Sequence, residues 1–358
     1  MTQTLVISID AMGGDHGPPV VVPGVARAAQ ALPPNVRFLL HGDEPAVRAE
    51  LARCKGLAER VEVRHTDKVV AMDEKPAQAL RRAKGTSMWN AVEAVREGEA
   101  IAAVSCGNTG ALMAISKLIL RMRADLDRPA LVAGIPTPRG VTTFLDVGAN
   151  VDCDAERLVE FAIMGEAYHR AVHKAAKPTV GVLNVGSEDM KGHEEVREAH
   201  RVLREGGLDL AYKGFVEGDD ITKGVVDVVV TDGFTGNVAL KAMEGVARFV
   251  NGELKGALTG SPLASAGALL AQGSLRKFRD RMSPPGAAPL LGLNGIVLKC
   301  HGGAAAKDVA EALRVARDLA QSDFAAEIER NMTRLPAALA ETSPGPAADG
   351  AVSAQGPA

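Results

Sequence analysis

Aromatic side chains are scarce, only 3% of the 358 residues, so any core this chain builds is aliphatic. Its four cysteines, Cys54, Cys106, Cys153 and Cys300, stand far apart, with no CxxC motif and no Cys/His cluster at metal-ligand spacing. No metal centre is expected from them, and a reducing cytoplasm is the simplest setting. An excess of basic charge is also missing. With 41 Lys and Arg against 44 Asp and Glu, the formal charge is −3, which lacks the global field that non-specific nucleic-acid binding uses. Nucleic acid is therefore not an expected partner. Nowhere do 18 apolar residues follow one another, the N-terminus has no basic n-region, and its first apolar run is broken by Asp10. Neither a signal peptide nor a membrane span is expected.

What the chain has is glycine, 38 residues of it, and a hydrophobic share of 46% beside 24% charged residues. Glycine turns with aliphatic runs suggest an α/β protein large enough to bury a sizeable core. Short β-rich runs recur at 4–10, 36–41, 61–65, 100–105, 142–147, 179–185, 211–216 and 225–231, most followed by helical spacing. Near-continuous apolar strands imply a mostly parallel sheet covered on both faces, with ligands beyond the carboxyl ends of the strands. Residues 1–335 read as a single unit with a protruding helical insertion near 250–293. From Pro336 to Ala358, 17 of 23 residues are Ala, Pro, Gly or Ser, which reads as a disordered tail.

The strand ends carry the chemistry. The run 100–105 ends at Cys106-Gly107-Asn108-Thr109-Gly110 before a helical stretch, a turn that suits phosphate at a helix N-terminus or an ordinary N-cap. No GK[ST] follows, so it is not a Walker A loop. A similar turn, Asp232-Gly233-Phe234-Thr235-Gly236-Asn237, follows 225–231. There Asp232 either holds a reacting group or satisfies turn amides, and Asn237 offers an amide donor. Lys191 lies among acids after 179–185 and fits either a surface lysine or a group that meets developing negative charge. Asp146–Asn150 is a third turn. Asp10 and His16 share a glycine-rich loop in which no third neutral ligand has a defined spacing, and His301 precedes Gly302-Gly303 as a capping, core or catalytic histidine.

Taken together, Asp10–Pro18 (DAMGGDHGP), Gly107–Ala111 (GNTGA), Asp146–Asn150 (DVGAN), Phe215–Ile221 (FVEGDDI), Thr231–Asn237 (TDGFTGN) and Pro289–Gly295 (PLLGLNG) resemble the PlsX family of acyl carrier protein–phosphate acyltransferases. The match runs from Asp10 to about Arg330. The resemblance implies a Rossmann-like α/β/α sandwich related to phosphotransacetylases and isocitrate-dehydrogenase-like folds. It implies a homodimer, peripherally attached to the inner face of the membrane, that attacks the carrier-protein thioester with inorganic phosphate and needs no cofactor. A glycerol-3-phosphate acyltransferase then takes up the acyl-phosphate. A phosphotransacetylase using coenzyme A, or a non-catalytic phosphate or nucleotide module, would use the same turns.

On that resemblance Lys191, Asp232 and Asn237 are the expected catalytic residues. Asn108, Thr109, Gly110, Asp10, His16, Asn150 and His301 are expected to bind substrate. The chain departs from the family at Cys106 and Cys300, where Ala and Ser are typical, and at Ile296, often Pro. The cysteine at the helix N-terminus admits an acyl-enzyme or a packing role, and the family pattern favours packing. The basic cluster Arg276, Lys277, Arg279 and Arg281 is expected to meet the acidic carrier protein, or else to form a solvated helix face. Leucines at 254–275 divide into two short helical pieces that bury in a dimer or rest in the lipid interface.

Overall fold

The computed structural model describes residues 4–123, 126–282 and 286–342, with side chains to 279 in the second stretch. Among the described residues eleven strands form the sheet: β1 (Leu5–Asp10), β2 (Val36–Gly42), β3 (Val61–His65), β4 (Ala102–Ser105), β5 (Ala130–Thr137), β6 (Gly140–Leu145), β7 (Thr179–Leu183), β8 (Ala211–Val216), β9 (Val228–Val230), β10 (Ala287–Leu291) and β11 (Ile296–Cys300). Their order is β3-β2-β1-β4-β11-β10-β5-β6-β9-β7-β8. Seven of the ten pairings are parallel, which is the mostly parallel α/β sheet expected. The aliphatic runs explain why: β4 (AAVS) and β9 (VVV) are buried at every position, as strands covered on both faces must be.

The three antiparallel pairings all lie in the middle, at β11–β10, β10–β5 and β5–β6. They reverse the second parallel block relative to the first. They also open the sheet. β10 and β5 pair only through Leu290 with Leu131 and Leu291 with Ala130, whereas β5 runs on to Thr137 beside β6. Beyond that short register Ala287 and Ala288 face Ala133 and Gly134 across a cleft. Small residues on both walls leave it room.

Helices cover the faces. The helix Ala155–His173 is buried along almost its whole length, and the helix Ala306–Ala320 packs on β11 and on the helix Pro18–Ala31. In contrast, the helix Gly233–Thr259, 27 residues and about 40 Å long at 1.5 Å per residue, buries only Gly233 and Gly236. It leads into the helices Pro262–Leu270 and Gln272–Met282, and together they form an exposed arm.

Two expected boundaries need correction. The exposed helical segment is not 250–293: it begins at 233, and 287–291 returns to the sheet as β10. Pro289 and the alanines there read as insertion because β10 is short and lacks β-branched residues. The tail is not disordered from 336. A helix, Leu335–Thr342, buries Leu335, Ala338 and Thr342 and meets the helix Glu194–Glu205, with Ala338 set against Gly206. Small apolar side chains at helical spacing suffice to dock it. Residues 343–358 lie outside the described residues.

Candidate active site

The sequence motifs meet in pairs. The loop after β1 closes on the turn after β4: Ser105 Oγ donates to Asp10 Oδ2 at 2.7 Å, and Met12 N donates to Asp10 Oδ1 at 3.3 Å. A Cβ on Gly13 would stand 2.6 Å from Asp10 Oδ2 and 2.7 Å from Gly107 N, so only glycine lets the two loops touch. Burial pushes the Asp10 carboxyl above the usual carboxylate range against its hydrogen bonds from Ser105 and backbone amides. The second pair is alike. Asp146, fully buried, accepts from the amides of Leu131, Gly148, Ala149 and Asn150 and from Asn150 Nδ2, while burial raises its pKa. A Cβ on Gly236 would lie 1.9 Å from Asp146 O, so the turn after β9 is pressed onto the turn after β6.

These locks engage several expected residues. Asp10 is buried and held by Ser105. Asn150 donates to Pro129 O and Asp146 and is likewise buried. Asn108 caps the helix Thr109–Leu120 by accepting from Ala111 N at 3.0 Å, and its Nδ2 donates to Met72 O and Glu74 O at 2.9 and 2.8 Å. Both ends of that amide are engaged, so the side chain holds the 71–74 loop in place. Gly110 admits Pro76, whose Cγ would lie 2.5 Å from an added Cβ. Asp232 caps the helix Gly233–Thr259 by accepting from Thr235 N at 2.8 Å. Lys191 is half-exposed, pairs with Glu188 at 2.9 Å, and is absent from the cleft lining. That hydrogen bond holds its ammonium above the ordinary lysine range.

The cleft between the pairs has a volume of about 620 Å³. Thr109 and His301 line it from the first block and Asn237 from the second, so the structure brings three of the expected residues together. His16 is exposed on its loop. His301 Nδ1 accepts from Gly303 N at 3.2 Å. Helix geometry leaves the first-turn amides of Thr109 and Gly110 without intrahelical acceptors, and Ala111 N is met by Asn108. The cleft's described charged lining is Lys241, Arg248, Lys299 and Lys307 against Glu244 and Asp308, an excess of two positive charges in a chain of −3. Glu244 pairs with Lys241 and Arg248, and Asp308 accepts from Ala305 N. Lys299 is the lining residue sequence reasoning missed. Its signal was a lone lysine in the last two positions of an otherwise apolar strand, IVLKC.

Among the described residues no group of His, Cys, Asp or Glu is placed to hold a metal ion. Cys106 is buried. Arg276, Lys277 and Arg279 are exposed on the helix Gln272–Met282, and the Arg281 side chain lies outside the described residues.

A model of the family described as fatty acid synthesis protein matches residues 5–327. The chain belongs to the fatty acid synthesis protein family. Its relatives include a phosphate acyltransferase from Phenylobacterium zucineum strain HLK1, 78% identical over 351 residues, covering 98% of this chain and 100% of that relative. A phosphate acyltransferase from Caulobacter vibrioides is 67% identical and covers 96% of each chain. Among solved structures, a phosphotransacetylase from Streptococcus pyogenes (TM-score 0.61, 18% identity, 88% of this chain and 94% of that one) shares the fold. So does a phosphotransacetylase from Staphylococcus aureus, with TM-score 0.59, 16% identity and the same coverage. The chain thus shares its fold with phosphotransacetylases, as the resemblance implied.

Proposed function

We infer that this chain is a phosphate acyltransferase that moves a fatty acyl group from the thioester of acyl carrier protein to inorganic phosphate. The observation that carries the reading is the cleft: a helix N-terminus from one block and Asn237 from the other face one space whose charged lining is net positive. Phosphate is already a competent oxygen nucleophile, so the site has to hold the dianion, align it with the carbonyl and stabilise the oxyanion. The Thr109 and Gly110 amides, with the Thr109 hydroxyl, suit the phosphate. Asn237 and His301 suit the thioester carbonyl and the departing sulfur. Asp10, Asn108, Asp146, Asn150 and Asp232 fix the loops that carry those groups. No redox step occurs, so none of this requires a cofactor.

The alanine walls and Leu131, Leu240 and Ala247 give the acyl chain an apolar path along the helix Gly233–Thr259. That path leads toward the exposed arm. Arg276, Lys277 and Arg279 there suit an acidic carrier protein, and the exposed Leu263, Leu269 and Leu270 suit a membrane surface on the cytoplasmic side. A second copy of the chain would cover Val246 and Phe249 on the arm. A long-chain acyl-phosphate partitions poorly into water, so a membrane acyltransferase acting on glycerol 3-phosphate is a fitting consumer. The donor assignment is tested by Arg276→Glu with Arg279→Glu, measured on palmitoyl carrier protein and on palmitoyl-coenzyme A. Loss confined to the carrier-protein donor, and relieved for the wild type by low salt, is expected. Equal loss with both donors would assign the cluster to the fold instead.

A further inference from the structure

Among the described residues Lys299 is the only lysine or arginine that is buried, 6% exposed. It is held at the end of β11, where Lys299 pairs in register with Ser105 of β4, beside the turn that begins the helix Thr109–Leu120. Its Nζ donates to Cys300 O and, at 3.5 Å, to Cys106 O. Neutral carbonyls do not balance a cation in a site shielded from water, and a buried charge without a counter-charge is costly. Among the described residues Lys299 makes no ion pair.

The groups around it do not supply the missing charge. The Cys300 thiol is held well above the ordinary range by its hydrogen bond with Cys106 and by burial, so it stays neutral. Asp10 and Asp15 act only at longer range, and the Asp10 carboxyl is itself shifted toward the neutral form. From the helix Ala306–Ala320, Lys307 adds positive charge, and the Asp308 carboxylate accepts from Ala305 N and makes no ion pair with Lys299. His301 follows on the same strand end. Yet Lys299 is part of the cleft wall, together with Thr109.

We propose that Lys299 is a catalytic residue whose ammonium binds a phosphate oxygen at the cleft floor, the phosphate being its counter-charge. The proposal rests on the reading of the cleft as a phosphate acyltransferase site. In the step it serves, a phosphate oxygen forms a bond to the acyl carbon and the carbon–sulfur bond breaks. Sulfur leaves with its electron pair and is protonated by solvent. Lys299 holds the attacking phosphate on line and takes no proton. Burial lowers the Lys299 pKa below that of a free lysine, with the Asp15 and Asp10 carboxylates among the groups opposing it. Phosphate binding should therefore fail on the alkaline side earlier than an exposed lysine would allow.

The test uses the full chain with Lys299→Met, which keeps the volume, and Lys299→Arg, which keeps the charge. Initial rates are measured against phosphate concentration from pH 6 to 10, with thermal midpoints for both variants. Lys299→Met is expected to lower kcat/KM for phosphate by roughly 100-fold while KM for the acyl donor stays within about twofold. Lys299→Arg is expected to recover part of the loss and to lack the alkaline limb, because a guanidinium keeps its charge. Should the methionine variant not fold, the pH profile of the arginine variant decides. Lys299→Met with wild-type phosphate dependence, or Lys299→Arg with an unchanged alkaline limb, overturns the proposal. Calorimetric titration with inorganic phosphate separates the two readings: a wild type that forms no acyl-phosphate yet binds phosphate through Lys299 removes the activity and keeps the ligand.

Discussion

Asp232 is placed to act on the reaction through the helix it caps. Its Oδ1 accepts from Thr235 N, fixing the start of the helix Gly233–Thr259, and that helix delivers Asn237 to the cleft. An asparagine supplies the same capping oxygen, whereas alanine supplies none. Asp232→Ala should therefore cost about 1 kcal/mol of stability, read as a lowered thermal midpoint, together with reduced turnover. Asp232→Asn should restore both. Turnover down roughly 100-fold in Asp232→Asn at an unchanged midpoint would instead mean that the carboxylate charge acts on the reacting groups. The motif could be read in the sequence, but its division of labour could not. Whether an Asx side chain in a glycine turn faces ligand or backbone depends on which loop lies opposite it, and Gly13 and Gly236 show that such loops pack at contact distance.

Among the secondary-structure elements, the exposed arm is the one whose surface the rest of the described molecule leaves uncovered. The helix Pro262–Leu270 buries no residue, and Leu263, Leu269 and Leu270 are 85%, 71% and 91% exposed. Exposed leucines on this helix, followed by Arg276 and Lys277 on the next, would suit anionic lipid, each cation near such a surface adding about 1 kcal/mol. Among the described residues no helix is long and apolar enough to cross a membrane. The full chain is expected to sediment with anionic liposomes and to be released by salt, and Leu269→Glu with Leu270→Glu should weaken that sedimentation while soluble activity persists. Unchanged sedimentation would remove the leucines as a lipid contact. The β1–β4 and β6–β9 segments were legible as apolar runs closed by glycine turns. β5, β10 and β11 were not, since ALVAGIPT and AAPLL mix small residues and proline, and their antiparallel pairing depends on neighbours far along the chain.

For the whole molecule, the decisive feature is that two parallel blocks of opposite direction are joined by strands that part after two residue pairs. That parting makes the cleft, and it gathers Thr109, Asn237, Lys299 and His301 from segments nearly 200 residues apart. Composition revealed the α/β class and the strand-end turns, but a cleft made by a short register in the sheet's middle has no local sequence signal. What that cleft does to a thioester decides its function. Purified protein is incubated with palmitoyl carrier protein, with and without inorganic phosphate, and acyl-phosphate is trapped with hydroxylamine while free thiol is counted. Acyl hydroxamate and thiol in equal amounts, rising with phosphate to saturation and absent without it, is the predicted result. Thiol released at the same rate without phosphate, or no consumption of the thioester at all, would contradict it.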